Sequence, residues 1–184
     1  MDFRQDERAV MEELQETLGR IDAEQVNAAI KMIEDSRKVF FVGVGRVCLA
    51  LEAIAKRFAH LGIDAVVVGE ITEPAITDQD LLIVGSGSGE TGVPLFIAGK
   101  AKEYGARVLH IGTKEACSME KYRDCFVKIP AAGKKNTEGV QSIQPMTSLF
   151  EQSLLLVGDI MAYMMIKEHQ IDMPGLWQCH ANLE

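Results

Sequence analysis

Four runs in this chain, at 38–42, 65–68, 81–84 and 107–111, are almost continuously apolar rather than alternating. A strand with one wet face alternates apolar and polar residues, whereas a strand apolar at nearly every position has both faces covered. A fifth strand signal follows at 125–129. Helical stretches at 47–61 and 93–104, and a shorter piece around 117–122, separate most of these runs. Strand and helix in alternation predict an α/β fold: a three-layer, flavodoxin-like sandwich around a five-stranded parallel sheet.

The ends of the chain read as helix. Residues 3–35 carry two amphipathic patterns broken near Gly19-Arg20-Ile21-Asp22. Asp22 and Gln25 resemble a capping box for the second, with Val26, Ile30 and Ile33 as its buried stripe. A final helix is expected from about Pro145 to Glu168, with the proline in its first turn, where a missing N–H is harmless. The longest irregular stretch, 130–144, contains Gly133, Lys134, Lys135, Asn136 and Gly139, and its length suggests a functional loop or lid. The organisation expected is one domain over 1–184: N-terminal helices 3–35, an α/β core 38–145, a C-terminal helix 146–169 and a tail 171–184.

Composition narrows the function. Hydrophobic residues make up 47% but aromatics only 6%, so the core is aliphatic and rich in methionine. Lys and Arg number 19 against 27 Asp and Glu, a net charge of −8, with no basic tract to form a nucleic-acid surface. The same charge repels a phosphorylated ligand at long range, so a phosphate site here must work locally, through hydroxyls and amides. Cys48, Cys117, Cys125 and Cys179 lack the spacing of a zinc site, and no metal is expected. The N-terminus is charged, and the apolar stretch 154–166 contains Asp159 and falls short of the roughly 20 residues that span a bilayer. A cytoplasmic protein without a membrane partner is the expectation.

In doubly wound sheets, ligands collect beyond the carboxyl ends of the strands. The third apolar run leads straight into Gly85-Ser-Gly-Ser-Gly-Glu-Thr91 and then a helix. Glycine permits a sharp turn and close approach, Ser86, Ser88 and Thr91 bring uncharged donors, and the helix start adds free N–H groups. That combination suits a phosphate monoester; a flexible, serine-rich surface loop is the other reading. The first run ends in Gly43-Val-Gly-Arg46, a partial dinucleotide fingerprint. Its third glycine position is Cys48, and Glu70 lies two residues beyond Val68 rather than ending the second strand, which argues against NAD.

Together these pieces resemble the sugar isomerase (SIS) domain family, and within it the 6-phospho-3-hexuloisomerase branch. The resemblance rests on Gly43-x-Gly-Arg46, on Arg57-Phe-Ala-His-Leu-Gly62 and on Val68-Gly-Glu-Ile-Thr-Glu-Pro-Ala75. It rests further on Ser86-Gly-Ser-Gly-Glu-Thr91 and on Ser142-Ile-Gln-Pro-Met-Thr-Ser-Leu-Phe-Glu-Gln152. It covers roughly residues 5–170. It implies interconversion of 3-hexulose 6-phosphate and fructose 6-phosphate through an enediolate, as in the ribulose monophosphate pathway, without metal or redox cofactor. It also implies a homo-oligomer, most simply a tetramer. A non-catalytic phosphosugar-binding or sensing protein, or an isomerase of another sugar phosphate, are the alternatives.

The resemblance assigns Ser86, Ser88, Gly89, Thr91, Gly45, Arg46, Val47 and Glu70 to the substrate, and Glu151 and His60 to catalysis. On spacing alone, Glu151 is equally a glutamate stabilising a helix start, although Phe150 and Leu154 beside it predict partial burial. His60 closes the helix of 47–61, where a histidine commonly serves only the helix C-terminus. That helix is about 22 Å long. His60 is therefore expected to enter a neighbouring subunit's pocket rather than its own. Arg46 at a helix start is badly placed for the dipole, which favours a functional role, whereas Glu70 and Thr72 read equally well as pocket wall or solvated loop. Three residues depart from the family pattern: Val47 and Cys48 stand where Ser-Gly is usual, and Thr147 replaces a glycine. The last helix, apolar on nearly every face through Met161, Met164 and Met165, is expected to need a second covering surface, from the N-terminal helices or from another subunit.

Overall fold

The structure, a computed structural model, describes residues 2–133 and 138–183. Lys134, Lys135 and Asn136 of the expected lid lie outside the described residues. The strands are β1 (Val39–Val42), β2 (Ala65–Val67), β3 (Leu81–Gly85), β4 (Arg107–Gly112) and β5 (Cys125–Lys128). They form one parallel sheet in the order β2-β1-β3-β4-β5. Val39–Val42 of β1 pairs in register with Leu81–Val84 of β3, and every residue of these two strands is buried. Strand order reverses between β1 and β3, which opens a crevice at their carboxyl ends.

The helices are α1 (Phe3–Gly19), α2 (Ala23–Glu34), α3 (Arg46–His60), α4 (Gly92–Glu103) and α5 (Ser148–Glu168). One face of the sheet, through Phe41, Ile83, Leu109 and Val127, packs with residues of α1, α2, α3 and α5. The other, through Phe40, Val42, Leu82, Val84 and Val108, packs against α4 and Met119. This is the three-layer sandwich expected from the continuous apolar runs.

Four details differ from the sequence reading. Residues 117–122 form a single 3-10 turn, Ser118–Lys121, rather than a helix. Asp22 accepts from Glu24 N–H at 2.9 Å as expected, but Gln25 does not close the box. Its side-chain oxygen accepts from Lys128 N–H on β5 at 2.8 Å, a tertiary partner that local spacing does not reveal. Helix α5 begins at Ser148 instead of near Pro145, because Met146 adopts φ +60° and breaks the helical path just before it. Finally, α5 is long and apolar enough in composition to cross a bilayer, yet it is mostly buried within this fold. Residues of α1, α2 and α3 cover it, leaving Ile160 and Tyr163 exposed.

Candidate functional site

Helices α3 and α4 start where β1 and β3 end, and an ion pair between Arg46 and Glu151 brings the start of α5 beside them. These three helix starts share a property. Helices α1 and α2 are capped by the carboxylates of Asp2 and Asp22, but α3, α4 and α5 have no side-chain cap. Their first-turn N–H groups and positive dipole ends remain available to an anion. At α3 the N-cap is Gly45, whose φ of 60° and ψ of −137° only glycine adopts readily. The chain therefore turns into the helix with no side chain over its end.

The hydroxyl-bearing turn after β3 is internally braced. Ser86 is buried; its hydroxyl accepts from Gly89 N–H at 3.2 Å and donates to Thr91 at 3.3 Å. Ser88 is exposed, with only a local bond from Glu90 N–H at 3.2 Å. The three hydroxyls thus divide into a brace at Ser86 and two outer groups at Ser88 and Thr91. Gly89, at φ +67°, lies directly beneath the Cys117 sulfur, so a side chain there would be both strained and blocked. Phe150 of α5 packs against Gly87, which ties this turn to the start of α5.

Glu151 is 8% exposed, as its apolar neighbours predicted. One carboxylate oxygen is ion-paired with the Arg46 guanidinium. The other accepts from the Thr147 hydroxyl at 2.7 Å. Arg46, two-thirds exposed, reaches this carboxylate from the solvent side at the start of α3. Val47 points inward over Gly43 and Gly85, so its side chain fills the space at the carboxyl ends of β1 and β3 while its backbone N–H stays in the uncapped first turn of α3.

The remaining expected residues are not gathered here. His60 ends α3, fourteen positions from Arg46, and its ring stacks on His180 of the tail at 5.2 Å between centroids. Its Nε2 is buried without a hydrogen-bond partner, and burial, with Lys56 and Arg57 adding repulsion, lowers its pKa. Glu70 and Thr72 are exposed in the turn after β2.

Sequence reading missed the groups that hold the turn from behind. His110, fully buried in β4, donates from Nε2 to Ser86 carbonyl oxygen at 2.8 Å, and burial pushes its pKa down to about 4. Thr113 donates to Gly87 carbonyl oxygen through both its hydroxyl, at 3.0 Å, and its backbone N–H, at 2.9 Å. Glu90 accepts from Ser118 N–H at 2.7 Å, which clamps the turn to the 3-10 turn beside it, and hydrogen bonding from the Ser118 side chain and backbone lowers its pKa. The only sequence signal for this bracing was a histidine inside an otherwise apolar strand. Among the described residues, no three of His, Cys, Asp and Glu gather as a metal site would require.

Residues 32–156 match the SIS domain family. The 3-hexulose-6-phosphate isomerase of Bacillus subtilis is 35% identical over 176 residues, spanning 95% of each chain. That of Mycobacterium gastri is 37% identical over 175 residues, or 95% of this chain and 88% of its own. A crystal structure from Methanococcus jannaschii, from which a 3-hexulose-6-phosphate isomerase function was inferred, superposes with a TM-score of 0.83. It is 26% identical and covers 98% of this chain and 99% of its own.

Proposed function

The chain belongs to the SIS domain family, and we propose that it is a phosphosugar isomerase interconverting 3-hexulose 6-phosphate and fructose 6-phosphate. The observation that carries this reading is the buried Glu151 carboxylate, held between Arg46 and Thr147 at the start of α5, where the adjacent Phe150 packs on Gly87 of the turn that bears Ser88 and Thr91. A binding module needs the hydroxyls and amides. The buried carboxylate, fixed at both oxygens, adds to them a group able to take a proton.

In this reading the phosphate is held by the Ser88 and Thr91 hydroxyls, with Ser86 and Gly89 shaping the turn. The uncapped N–H groups of α4 complete that cradle, and the start of α3, with Gly45 and Val47, faces it from β1. An anchored phosphate fixes the distance from the turn to the reacting carbons, so C2 and C3 are presented to Glu151 in one pose. Glu151 takes the C2 proton of the 3-hexulose, and the electrons move to the C3 carbonyl oxygen to give the enediolate. The O2 proton passes to O3, the proton held by Glu151 is delivered to C3, and the carbonyl is left at C2. Arg46, released from Glu151 as that carboxylate is protonated, stabilises the charge on the enediolate oxygens.

His60 acts in a second copy of the chain in this reading, because in its own subunit it stands at the wrong end of α3. The exposed Ile160 and Tyr163 on α5 offer an apolar surface for such assembly, and a tetramer is the arrangement proposed. Light scattering at low micromolar concentration tests the assembly. Partial recovery of activity on mixing His60→Ala with Glu151→Gln subunits tests the shared site.

The decisive experiment on the reaction is Glu151→Gln. The amide keeps the shape but cannot accept a proton, so isomerisation should fall by roughly 10²–10⁴-fold while fructose 6-phosphate still binds. Wild-type turnover in this variant would remove Glu151 as the base.

A further inference from the structure

We infer that Thr147 is a positioning residue for Glu151, its hydroxyl fixing the carboxylate in the single orientation that faces the reacting carbons. The inference rests on Glu151 being the base proposed above. Thr147 occupies the N-cap of α5. A threonine there ordinarily turns its oxygen toward the N–H of the second or third helical residue. It makes no such bond in this chain. Its hydroxyl instead donates to Glu151 Oε1 at 2.7 Å, one full turn into the helix. The helix start is left uncapped, and the one side chain able to cap it is committed to the carboxylate.

The backbone around Thr147 is arranged for this contact at a cost. Met146 has φ +60°, a left-handed conformation that residues bearing a Cβ tolerate poorly, and its side chain is exposed, so no burial compensates. The segment just before it is pinned from outside. Glu13 of α1 accepts from the Ser142 hydroxyl at 2.7 Å, the Ile143 N–H at 2.6 Å and the Gln144 side chain at 3.0 Å. Gln152, one residue past Glu151, donates to Gln144 at 2.8 Å. Contacts on both sides therefore hold Met146 in its unfavourable conformation, and what that conformation delivers is the Thr147 hydroxyl at Glu151.

Geometry explains why a second bond matters. A carboxylate held at one oxygen can still rotate about its last side-chain bond. With Arg46 on Oε2 and Thr147 on Oε1, the plane of the group is fixed and a lone pair on each oxygen remains open. Thr147 exchanges no proton with the sugar. It determines where the base points.

The test compares Thr147→Val, which keeps the shape and removes the hydroxyl, with Thr147→Ser, which keeps the hydroxyl. Steady-state isomerisation of fructose 6-phosphate and thermal unfolding are measured for both. Thr147→Val should lose about tenfold or more in kcat with KM within about twofold, because binding is intact and only alignment is lost. Thr147→Ser should stay within about twofold of wild-type kcat, because the same donor is present. Should Thr147→Val unfold early, Thr147→Ala carries the same comparison. Wild-type kcat without the hydroxyl, a rise in KM that accounts for the whole loss, or a serine variant as impaired as the valine one would each overturn the inference. Glu151→Gln in the same assay separates the two claims. An active Glu151→Gln defeats the assigned base itself, whereas an inactive Glu151→Gln beside an unimpaired Thr147→Val defeats the positioning role alone.

Discussion

Arg46 and Glu151 stand 105 positions apart in the chain and meet as an ion pair between the first turns of α3 and α5. The pairing is unequal: the Glu151 side chain is 9% exposed and that of Arg46 is 66% exposed. A cation at a helix start opposes the helix dipole, so local energetics do not explain its position. Contact with a buried carboxylate at the mouth of a crevice does.

The exposure of Arg46 makes activity and stability respond differently to its loss. With Arg46 gone, solvent reaches the Glu151 oxygen it covered and Thr147 still holds the other, so Arg46→Ala should cost folding about 1 kcal/mol and unfold close to wild type. Isomerisation should fall further, by about tenfold to a hundredfold in kcat/KM, because in the proposed mechanism the guanidinium acts only as charge develops on the enediolate. Arg46→Lys should recover the charge but not the fork, and so only part of the rate. Kinetics and urea unfolding of the two variants check this; parallel losses of rate and stability would make Arg46 a structural residue.

Ser86 and Ser88 predict an opposite division. Ser88 is exposed and makes only a local bond, so Ser88→Ala should weaken fructose 6-phosphate binding by up to about tenfold, the cost of one neutral donor, with little change in unfolding. Ser86 is buried and bonded to Gly89 and Thr91, so Ser86→Ala should lower stability by about 1–3 kcal/mol as well as affinity. Calorimetric titration with chemical denaturation separates the two. Unchanged affinity in Ser88→Ala would take its hydroxyl out of the phosphate cradle.

What was legible in the sequence follows from how locally each feature is determined. The strands β1, β3 and β4 were readable because burial on both faces leaves almost every position apolar, and burial there is indeed nearly complete. The start of α5 was not, because a positive φ at Met146 has no sequence signature; proline at 145 pointed to a start three residues early. Gln25 matched a local capping pattern but was taken by a backbone N–H 103 residues away. The same limit applies to the candidate site. The turn 85–91 could be picked out by its composition, and Glu151 only through the family resemblance. The bond from Thr147, the ion pair with Arg46 and the support from His110 depend on tertiary packing, and the distinct places of Ser86 and Ser88 depend on burial that two serines in one loop do not disclose.

His110 makes stability depend on acid. Its ring is neutral in the fold, with the proton on Nε2 facing Ser86 and a buried Nδ1 that has no partner. A folded-state pKa of about 4 lies below the ordinary 6.5, so between these values the unfolded chain binds the proton and the folded one does not. The contribution is therefore fully present above about pH 6.5 and declines as the pH falls toward 4, by roughly 3 kcal/mol in all and about 2 kcal/mol by pH 5. His110→Gln keeps an N–H donor for Ser86 without the titration. The difference in unfolding free energy between wild type and this variant should shrink from pH 7 to pH 5, a comparison that cancels His60 and His169. A difference constant across that range would show that His110 does not titrate in this way.

Gly158 sets how closely α3 and α5 approach. It is buried in α5 directly against Ile54 of α3, and a methyl group built there would run into the isoleucine's own branches. Two effects of Gly158→Ala oppose each other. Alanine is the better helix former by about 0.8–1.0 kcal/mol, which would stabilise the variant. Overpacking a close helix contact costs about 1–3 kcal/mol, and Ile54, branched at Cβ and held in a buried helix, has little freedom to turn aside. Packing should win, leaving Gly158→Ala less stable by up to about 2 kcal/mol. Because the same two helices carry Arg46 and Glu151 at their starts, pushing them apart should also reduce kcat, while the proposed phosphate turn between β3 and α4 keeps its affinity. Urea unfolding and steady-state kinetics test both halves. A variant more stable than wild type, with unchanged kcat, would show that helix propensity outweighs the contact and that the spacing of α3 and α5 does not govern the pair.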